Sequence, residues 1–166
     1  MLDTQPMAPH HAHRLHDLYA STPQYFATLG TPIPSPHEVA REVELALRDP
    51  RRRLELLYDG PQLIGCLDYK LHYPARGDIT INLLLIAGPH QSQGYGGKTL
   101  QHFEEHLPAG TRRLLASVLG SNERAARFWQ RHGFTFAIDA RPVMEWYAKP
   151  VHSTTALTVG AKLSKI

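Results

Sequence analysis

The residues with the clearest chemical potential form a glycine-rich segment at positions 91–98, Gln-Ser-Gln-Gly-Tyr-Gly-Gly-Lys. An apolar stretch at residues 81–87 precedes it, and apolar residues at helical spacing follow it. This order indicates a buried strand that enters a turn and then a helix. The first amides of a helix lack partners within the helix, and the helix dipole favours an anion there. Because glycines leave those amides uncovered, the segment is a candidate site for a pyrophosphate group.

Two common phosphate-binding motifs do not fit this segment. A Walker A loop requires Gly-x-x-x-x-Gly-Lys-Ser/Thr, and its first glycine would fall on Ser92. A dinucleotide-binding fingerprint, Gly-x-Gly-x-x-Gly, would begin at Gly94 but places Thr99 at its last glycine. The structural alternative is a turn that binds nothing, although each glycine inside a helix costs about 1 kcal/mol.

The composition is that of one soluble globular domain. The 166 residues are 42% hydrophobic and 20% charged, with a formal net charge of +3. The small charge excess, without a strong basic cluster, argues against a nucleic-acid partner. No apolar run approaches the length of a membrane span, and the first residues lack the pattern of a signal peptide. We therefore expect a cytoplasmic protein with no membrane partner.

Hydrophobic periodicity predicts an α/β (α+β) fold with a mixed sheet of about six to seven strands and about four helices. Helices are predicted at residues 10–20, 36–49, 94–107 and 122–132. Strands are predicted at residues 54–58, 62–73, 80–86, 113–119, 134–137 and 143–148. We expect one domain over residues 1–150, followed by a tail at 151–166 that is mobile or docked on a partner.

Two local predictions concern the first half of the chain. Residues 21–36 contain several prolines and are predicted as a loop. In the next helix, Ser35 and Glu38 form a capping box, and Val39, Val43 and Leu47 form the buried stripe.

The histidines and the single cysteine do not predict a metal site or a reactive thiol. Among the histidines at positions 10, 11, 13 and 16, only His13 and His16 share a helical face, and zinc requires more ligands than that. Cys66 is the single cysteine of the sequence, so an intrachain disulfide is excluded. Its place in a predicted strand beside Gly65 favours a buried, unreactive side chain.

Two motifs resemble those of one protein family. Gln91-Ser92-Gln93-Gly94-Tyr95-Gly96 resembles the Gln/Arg-x-x-Gly-x-Gly/Ala signature of the GNAT superfamily of N-acetyltransferases. The block at residues 122–134, Asn-Glu-Arg-Ala-Ala-Arg-Phe-Trp-Gln-Arg-His-Gly-Phe, resembles the family's Asn…Ala…Phe-Tyr…Gly-Phe segment. The resemblance covers about residues 50–148 and implies the GNAT fold, with a sheet that splays at the acetyl-CoA site. The first strand usual for that family is not apparent before Pro9.

The resemblance implies an acetyl-CoA-dependent acyltransferase that passes the acetyl group directly to a primary amine of a small molecule or peptide, without a metal. The resemblance also implies a homodimer, with the tail at residues 151–166 as a candidate contact. The residues implied in cofactor binding are Leu84, Leu85 and Ile86 for the pantetheine arm, Gln91, Ser92, Gln93, Gly94, Tyr95, Gly96, Gly97 and Lys98 for the phosphates, and Asn122, Phe128 and Trp129 on the second motif.

The proton chemistry departs from the family pattern. Trp129 stands where the family often has a tyrosine that protonates the leaving thiolate, and its indole N–H is a poor acid. The glutamate that many relatives place early in the glycine-loop strand is also missing. The catalytic candidates that remain are Asp68, Asn82 and Tyr25. The alternative function is a non-catalytic acyl-CoA-binding or regulatory protein, and a nucleotide-binding protein is a more distant one.

Overall fold

The fold is built on a single mixed sheet of seven strands, seen in a computed structural model that describes residues 1–141 and 144–152. In chain order the strands are β1 (Leu2–Pro6), β2 (Arg52–Asp59), β3 (Gln62–Leu71), β4 (Asp78–Ile86), β5 (Arg113–Leu119), β6 (Thr135–Arg141) and β7 (Met144–Pro150). Their order across the sheet is β1-β2-β3-β4-β5-β7-β6. In the described part of the chain, β4 and β5 are parallel and the other neighbouring strands are antiparallel.

Helices cover both faces of the sheet and enclose two separate cores. They are α1 (Ala12–Ala20), α2 (Pro23–Leu29), α3 (Pro36–Arg48), α4 (Tyr95–Glu105) and α5 (Glu123–Arg131), with short 3₁₀ turns at Pro9–His11 and Gly88–His90. The first core joins α1, α2 and α3 to one face of β2, β3 and β4. The second joins α4 and α5 to the opposite face, from β2 to β7. Within the described ranges, no helix combines the length and apolar character that crossing a membrane requires.

The α/β class and the mixed sheet are confirmed, and two elements were missed. Residues 21–36, predicted as a loop, contain α2, which begins with Pro23 and ends at Gly30 with a left-handed φ of 72°. Proline is tolerated in the first turn of a helix, and buried Phe26 anchors this one. The first strand, β1, pairs with β2 from Leu2 to Pro6. It escaped notice because an edge strand with polar residues shows little apolar alternation.

Helix α3 shows how local sequence signals act. The Ser35 hydroxyl accepts a hydrogen bond from the Glu38 amide at 3.2 Å, and the Glu38 carboxylate accepts one from the Ser35 amide at 2.7 Å, which confirms the capping box. Val39 and Val43 are buried as predicted, but Leu47 is 46% exposed and Ala46 is buried instead. Seven residues make nearly two complete helical turns, so position 46 returns to the face of Val39 and position 47 turns away from it.

The chain's last two strands are longer than predicted, and the tail lies largely beyond the described residues. Strands β6 and β7 pair with each other, and β7 pairs with β5 from Met144 to Pro150. Val151 still donates its amide to the Arg112 carbonyl at 2.7 Å. The predicted strand start at position 143 and the tail from position 153 onward fall outside the description.

The sheet opens between its two parallel strands. Strands β4 and β5 pair only from Asp78 opposite Arg113 to Ile81 opposite Ala116. At the next residue β4 has a bulge, because Tyr69 of β3 pairs with Ile81 and Asp68 pairs with Leu83, which leaves Asn82 as the extra residue. Beyond this point β4 pairs with β3 alone, so the predicted splay of the sheet is present.

A buried ion pair closes the joined end of β4 and β5. The Arg113 guanidinium donates two hydrogen bonds to the Asp78 carboxylate, at 3.1 and 2.7 Å. The two side chains are only 7% and 8% exposed. Asp78 also accepts a hydrogen bond from the Ala75 amide at 3.2 Å. Because both charges are buried, each depends on the other for compensation.

We expect Asp78→Asn to lower the free energy of unfolding by about 3 kcal/mol, because it leaves the buried Arg113 charge uncompensated. Urea denaturation measures this loss. The control is Glu44→Gln, which breaks an exposed pair with Arg48 and should cost about 0.5 kcal/mol or less. Equal stability of the two variants would show that the buried pair does not hold the strand junction.

Candidate active site

A cleft of about 850 Å³ lies at the open end of β4 and β5. Four segments line it: the start of α2 with the residues before it, the end of β4, the glycine-rich loop with the start of α4, and the cleft-facing side of α5. The described lining residues include most of the predicted cofactor contacts, namely Leu84, Leu85, Ile86, Gln91, Ser92, Gly94, Tyr95, Gly96, Gly97, Asn122, Phe128 and Trp129.

The glycine-rich loop directs free backbone amides into this cleft. Ser92 and Gly94 have left-handed φ angles of 62° and 81°, and α4 begins immediately afterwards at Tyr95. Gly94 is the N-cap and has no side chain to cap the helix, while the Lys98 amide already donates to the Gly94 carbonyl at 3.1 Å. The amides of residues 95–97 therefore have no acceptor within the helix. They and the helix dipole provide a site for an anion such as a diphosphate.

The three glycines of the loop serve different purposes. Gly94 adopts a φ that residues with side chains rarely take. A Cβ on Gly96 would lie 3.0 Å from Cε2 of Phe128, and one on Gly97 would lie 3.1 Å from Cε1 of His132. Two of the glycines thus allow α4 to pack closely against α5. The interpretation that all three serve only to uncover amides was incomplete.

One wall of the cleft is the unpaired edge of β4. The segment 83–86 pairs with β3 on one side and has lost β5 on the other. In a strand, half of the amides and carbonyls point to each side, so this edge offers backbone hydrogen bonds to an extended ligand. The Ile86 carbonyl is already engaged, because it accepts a hydrogen bond from the Gln91 side chain at 3.0 Å.

The opposite wall is the start of α5. The Asn122 side chain accepts a hydrogen bond from the Ala125 amide at 3.1 Å and caps the helix, as its position predicts. The Phe128 ring lies edge-on to Trp129 with their centroids 5.0 Å apart. Trp129 is only 5% exposed and packs on Phe134, so it belongs mainly to the core beneath the cleft.

Several predicted site residues do not line the cleft. Lys98 is exposed, and its Nζ lies 5.4 Å from the centre of the Tyr95 ring. The Gln93 side chain donates to the Pro89 carbonyl at 3.1 Å. Asn82 is the half-buried bulge residue of β4, and Asp68 lies in the sheet on the side of α1 and α3. Of the catalytic candidates, Tyr25 alone is among the described lining residues.

Asp68 belongs to a charged network on the α1–α3 side of the sheet. Both of its carboxylate oxygens accept hydrogen bonds from Arg52, at 3.0 and 2.6 Å. Glu42 of α3 accepts a hydrogen bond from the Tyr19 hydroxyl at 2.9 Å and lies 3.9 Å from Arg52. Burial raises the pKa of Glu42 above its ordinary value. Sequence reasoning missed Glu42, although its position beside the Val43 stripe was a signal.

Tyr25 lines the cleft and packs against the same core as Tyr19. Burial raises the pKa of Tyr25, and the nearby Cys66 and Glu42 raise it further. Burial also raises the pKa of the Cys66 thiol, which is completely inaccessible, in agreement with its predicted structural role. In residues 1–141 and 144–152, no three or more His, Cys, Asp or Glu side chains are grouped to hold a metal ion.

Comparisons with known proteins place the chain in a family. A sequence profile described as the acetyltransferase (GNAT) family matches residues 12–134. An acetyltransferase from Thermus thermophilus is 40% identical, with a TM-score of 0.88, over 91% of this chain and 97% of that one. No curated protein sequence matches the chain.

More distant structures share the fold. A ribosomal L7/L12 α-N-protein acetyltransferase in complex with coenzyme A has 16% identity and a TM-score of 0.71, over 90% of this chain and 94% of that one. The spermidine N-acetyltransferase from Vibrio cholerae, in complex with CoA and spermine, has 15% identity and a TM-score of 0.71, over 90% and 95% of the two chains.

We expect Gly94→Ala to cost about 1 kcal/mol of stability because it forces a side chain into the left-handed region, and to weaken anion binding in the cleft. Gly110→Ala is the matched control, since Gly110 has a φ of 83°, similar open space around it and no place in the cleft lining. Thermal unfolding with and without millimolar inorganic pyrophosphate measures both effects. Equal stabilisation of the two variants by pyrophosphate would contradict an anion site at the loop.

Proposed function

The chain belongs to the GNAT acetyltransferase family, and on that premise we propose that it transfers the acetyl group of acetyl-CoA to a primary amine of a small molecule or peptide. The observation that carries the proposal is the continuity of one cleft. It runs from the open edge of β4 to the free amides of α4, which suits a ligand with an extended arm and a diphosphate.

The cofactor's parts match the walls of the cleft. The backbone of residues 84–86 would bind the pantetheine arm as an added strand does, and the amides of residues 95–97 would bind the pyrophosphate. Asn122 and Phe128 would contact the arm from the opposite side. Bound acetyl-CoA supplies the activated acetyl group as a thioester.

The chemistry requires a direct attack within this cleft. The amine nitrogen forms a bond to the acetyl carbon, and the carbon–sulfur bond breaks to release the CoA thiolate. A backbone amide of the unpaired β4 edge near Ile86 would stabilise the negative charge that develops on the carbonyl oxygen. The nitrogen must also lose a proton, and the thiolate must gain one.

We propose Glu42, in place of Asp68, as the group that accepts the amine proton, through water. Asp68 uses both carboxylate oxygens to bind Arg52 and is 4% exposed. Glu42 is less enclosed, and its raised pKa brings its basicity closer to neutral pH, where a general base is most effective. Glu42 is not among the described residues that line the cleft, so the proton would pass to it through water beside Tyr25, which lines the cleft and packs against the same core as Tyr19.

The second candidate function is a non-catalytic acyl-CoA-binding protein. It is favoured by Trp129, which stands at the tyrosine position of the family motif and is packed in the core, where its indole cannot replace an acid. Both candidates require the same cofactor in the cleft, so binding and turnover have to be measured separately.

The first test compares thermal unfolding with and without acetyl-CoA. At ~100 times the dissociation constant, binding to the native state should add about 2.7 kcal/mol of stability. ATP with magnesium should produce no shift, because the loop lacks the Walker A glycine at Ser92. No shift with acetyl-CoA would contradict both candidate functions.

Turnover then distinguishes the two candidates. Thiol release is followed with a panel of primary amines that begins with spermidine and an N-terminal peptide of L7/L12, the acceptors named for the related structures. Amine-dependent release supports the transferase. Binding of acetyl-CoA without release from any amine would favour the non-catalytic function.

We expect Glu42→Gln to lower kcat by about 100-fold and to remove the acidic limb of the pH–rate profile, as loss of a general base does. Asp68→Asn should instead lower stability by about 3 kcal/mol, since Arg52 loses its partner, and leave kcat within about threefold. The matched control is Glu44→Gln on the exposed side of the same helix. A normal pH–rate profile for Glu42→Gln would eliminate Glu42 as the base.

A further inference from the structure

Three arginines form the cleft-facing side of α5. Arg124, Arg127 and Arg131 all line the cleft, and their spacing places them on the same helical face as Phe128. Phe128 packs against Gly96 in the first turn of α4, so the arginine face lies beside the free amides of that turn. On the basis of the proposed function, we infer that two of these arginines, Arg127 and Arg131, make the cleft selective for the 3′-phosphate of coenzyme A.

The arginines stand at positions that are unfavourable for the helix alone. Arg124 is in the first turn of α5, where the helix dipole repels a cation. Arg127 is three residues from Arg124 and four from Arg131, so each pair brings like charges together. Arg127 and Glu123 form an ion pair with 3.5 Å between them, but both side chains are exposed and the pair stabilises little. A bound polyanion would offset both the repulsion between the arginines and the repulsion of Arg124 by the helix dipole.

The described lining of the cleft has three formal positive charges, on Arg124, Arg127 and Arg131. Among the described residues that line the cleft there is no Asp or Glu. The cleft therefore has a concentrated positive potential that a dianionic group can neutralise.

A diphosphate alone does not use all of this charge. The amides at the start of α4 provide the diphosphate site, and Arg124 lies beside the same loop, where it donates to the Gln91 side chain at 3.5 Å. Arg127 and Arg131 lie farther along α5. Arg131 precedes His132, whose ring contacts the Gly97 position of α4. Arg127 and Arg131 are therefore available to bind a further phosphate group.

Coenzyme A has such a group, because its ribose 3′-hydroxyl is phosphorylated and its dephosphorylated precursor differs at that point alone. Arginine suits this task, since its planar fork donates two parallel hydrogen bonds to phosphate oxygens. Arg127 and Arg131 would bind the 3′-phosphate and determine which form of the cofactor enters, while Arg124 would serve the diphosphate common to both forms.

The test is calorimetric titration of the full chain with CoA and with 3′-dephospho-CoA, which needs no amine acceptor. The wild type should bind CoA about 30-fold more tightly than dephospho-CoA, the effect of hydrogen bonds to a charged group. The double variant Arg127→Gln/Arg131→Gln should reduce this ratio to about threefold, because it weakens the binding of CoA alone.

Two further variants serve as comparisons. Arg124→Gln should weaken the binding of both ligands equally. Arg41→Gln, which removes an exposed arginine of α3 outside the cleft, is the matched control.

The outcomes separate this inference from the proposed function. Equal affinity of the wild type for the two ligands, or a ratio that persists in the double variant, would overturn the 3′-phosphate site and leave the transferase intact. Failure of the wild type to bind either ligand would overturn the proposed function and the site together. A ratio that shrinks as salt is raised, in the wild type alone, would confirm that charge is the basis of the selectivity.

Discussion

The short parallel pairing of β4 and β5 is the constraint on which the rest of the structure depends. The two strands stay together for the pairs from Asp78–Arg113 to Ile81–Ala116 and then separate at the Asn82 bulge. A buried ion pair fixes the joined end, where it is shielded from water. At the open end, a strand edge with unpaired backbone groups becomes a wall of the cleft. An uninterrupted pairing would fill the place that the proposed acetyl-CoA arm requires.

Charge is distributed unevenly about this opening. The wall formed by α5 has three arginines, and the start of α4 adds free amides, so this side favours an anion. On the other side of the sheet, Glu42 and Asp68 share the Arg52 cation, which leaves that group of three side chains negative. An anionic cofactor and a cationic amine acceptor would thus meet at a boundary between the two fields. The proposed reaction uses this separation, because the amine must approach and lose a proton there.

The glycine-rich loop combines a binding function with a packing function. Gly94 permits the left-handed turn that starts α4, while Gly96 and Gly97 let the helix approach Phe128 and His132. Close packing of α4 on α5 also brings the arginine face next to the free amides. The geometry of the anion site and the contact between the two helices therefore depend on the same few residues, and a substitution at either Gly96 or Gly97 disturbs both.

The sequence by itself determined the family, the strand that leads into the glycine loop and the Ser35 capping box. It also identified about half of the residues that line the cleft. These features depend on local periodicity and on motifs whose residues are close in the chain. It did not reveal β1 or α2, whose signals are weak without the partners that pack against Leu2 and Phe26. The Asp68–Arg52 pair and the position of Glu42 also emerged only in three dimensions, since they join side chains from α3, β2 and β3. Tertiary structure decided which side chains line the cleft: it placed Lys98 outside it and the exposed α5 arginines along its rim. Charge and residue type are written in the sequence, but the direction of a side chain depends on how the helices pack.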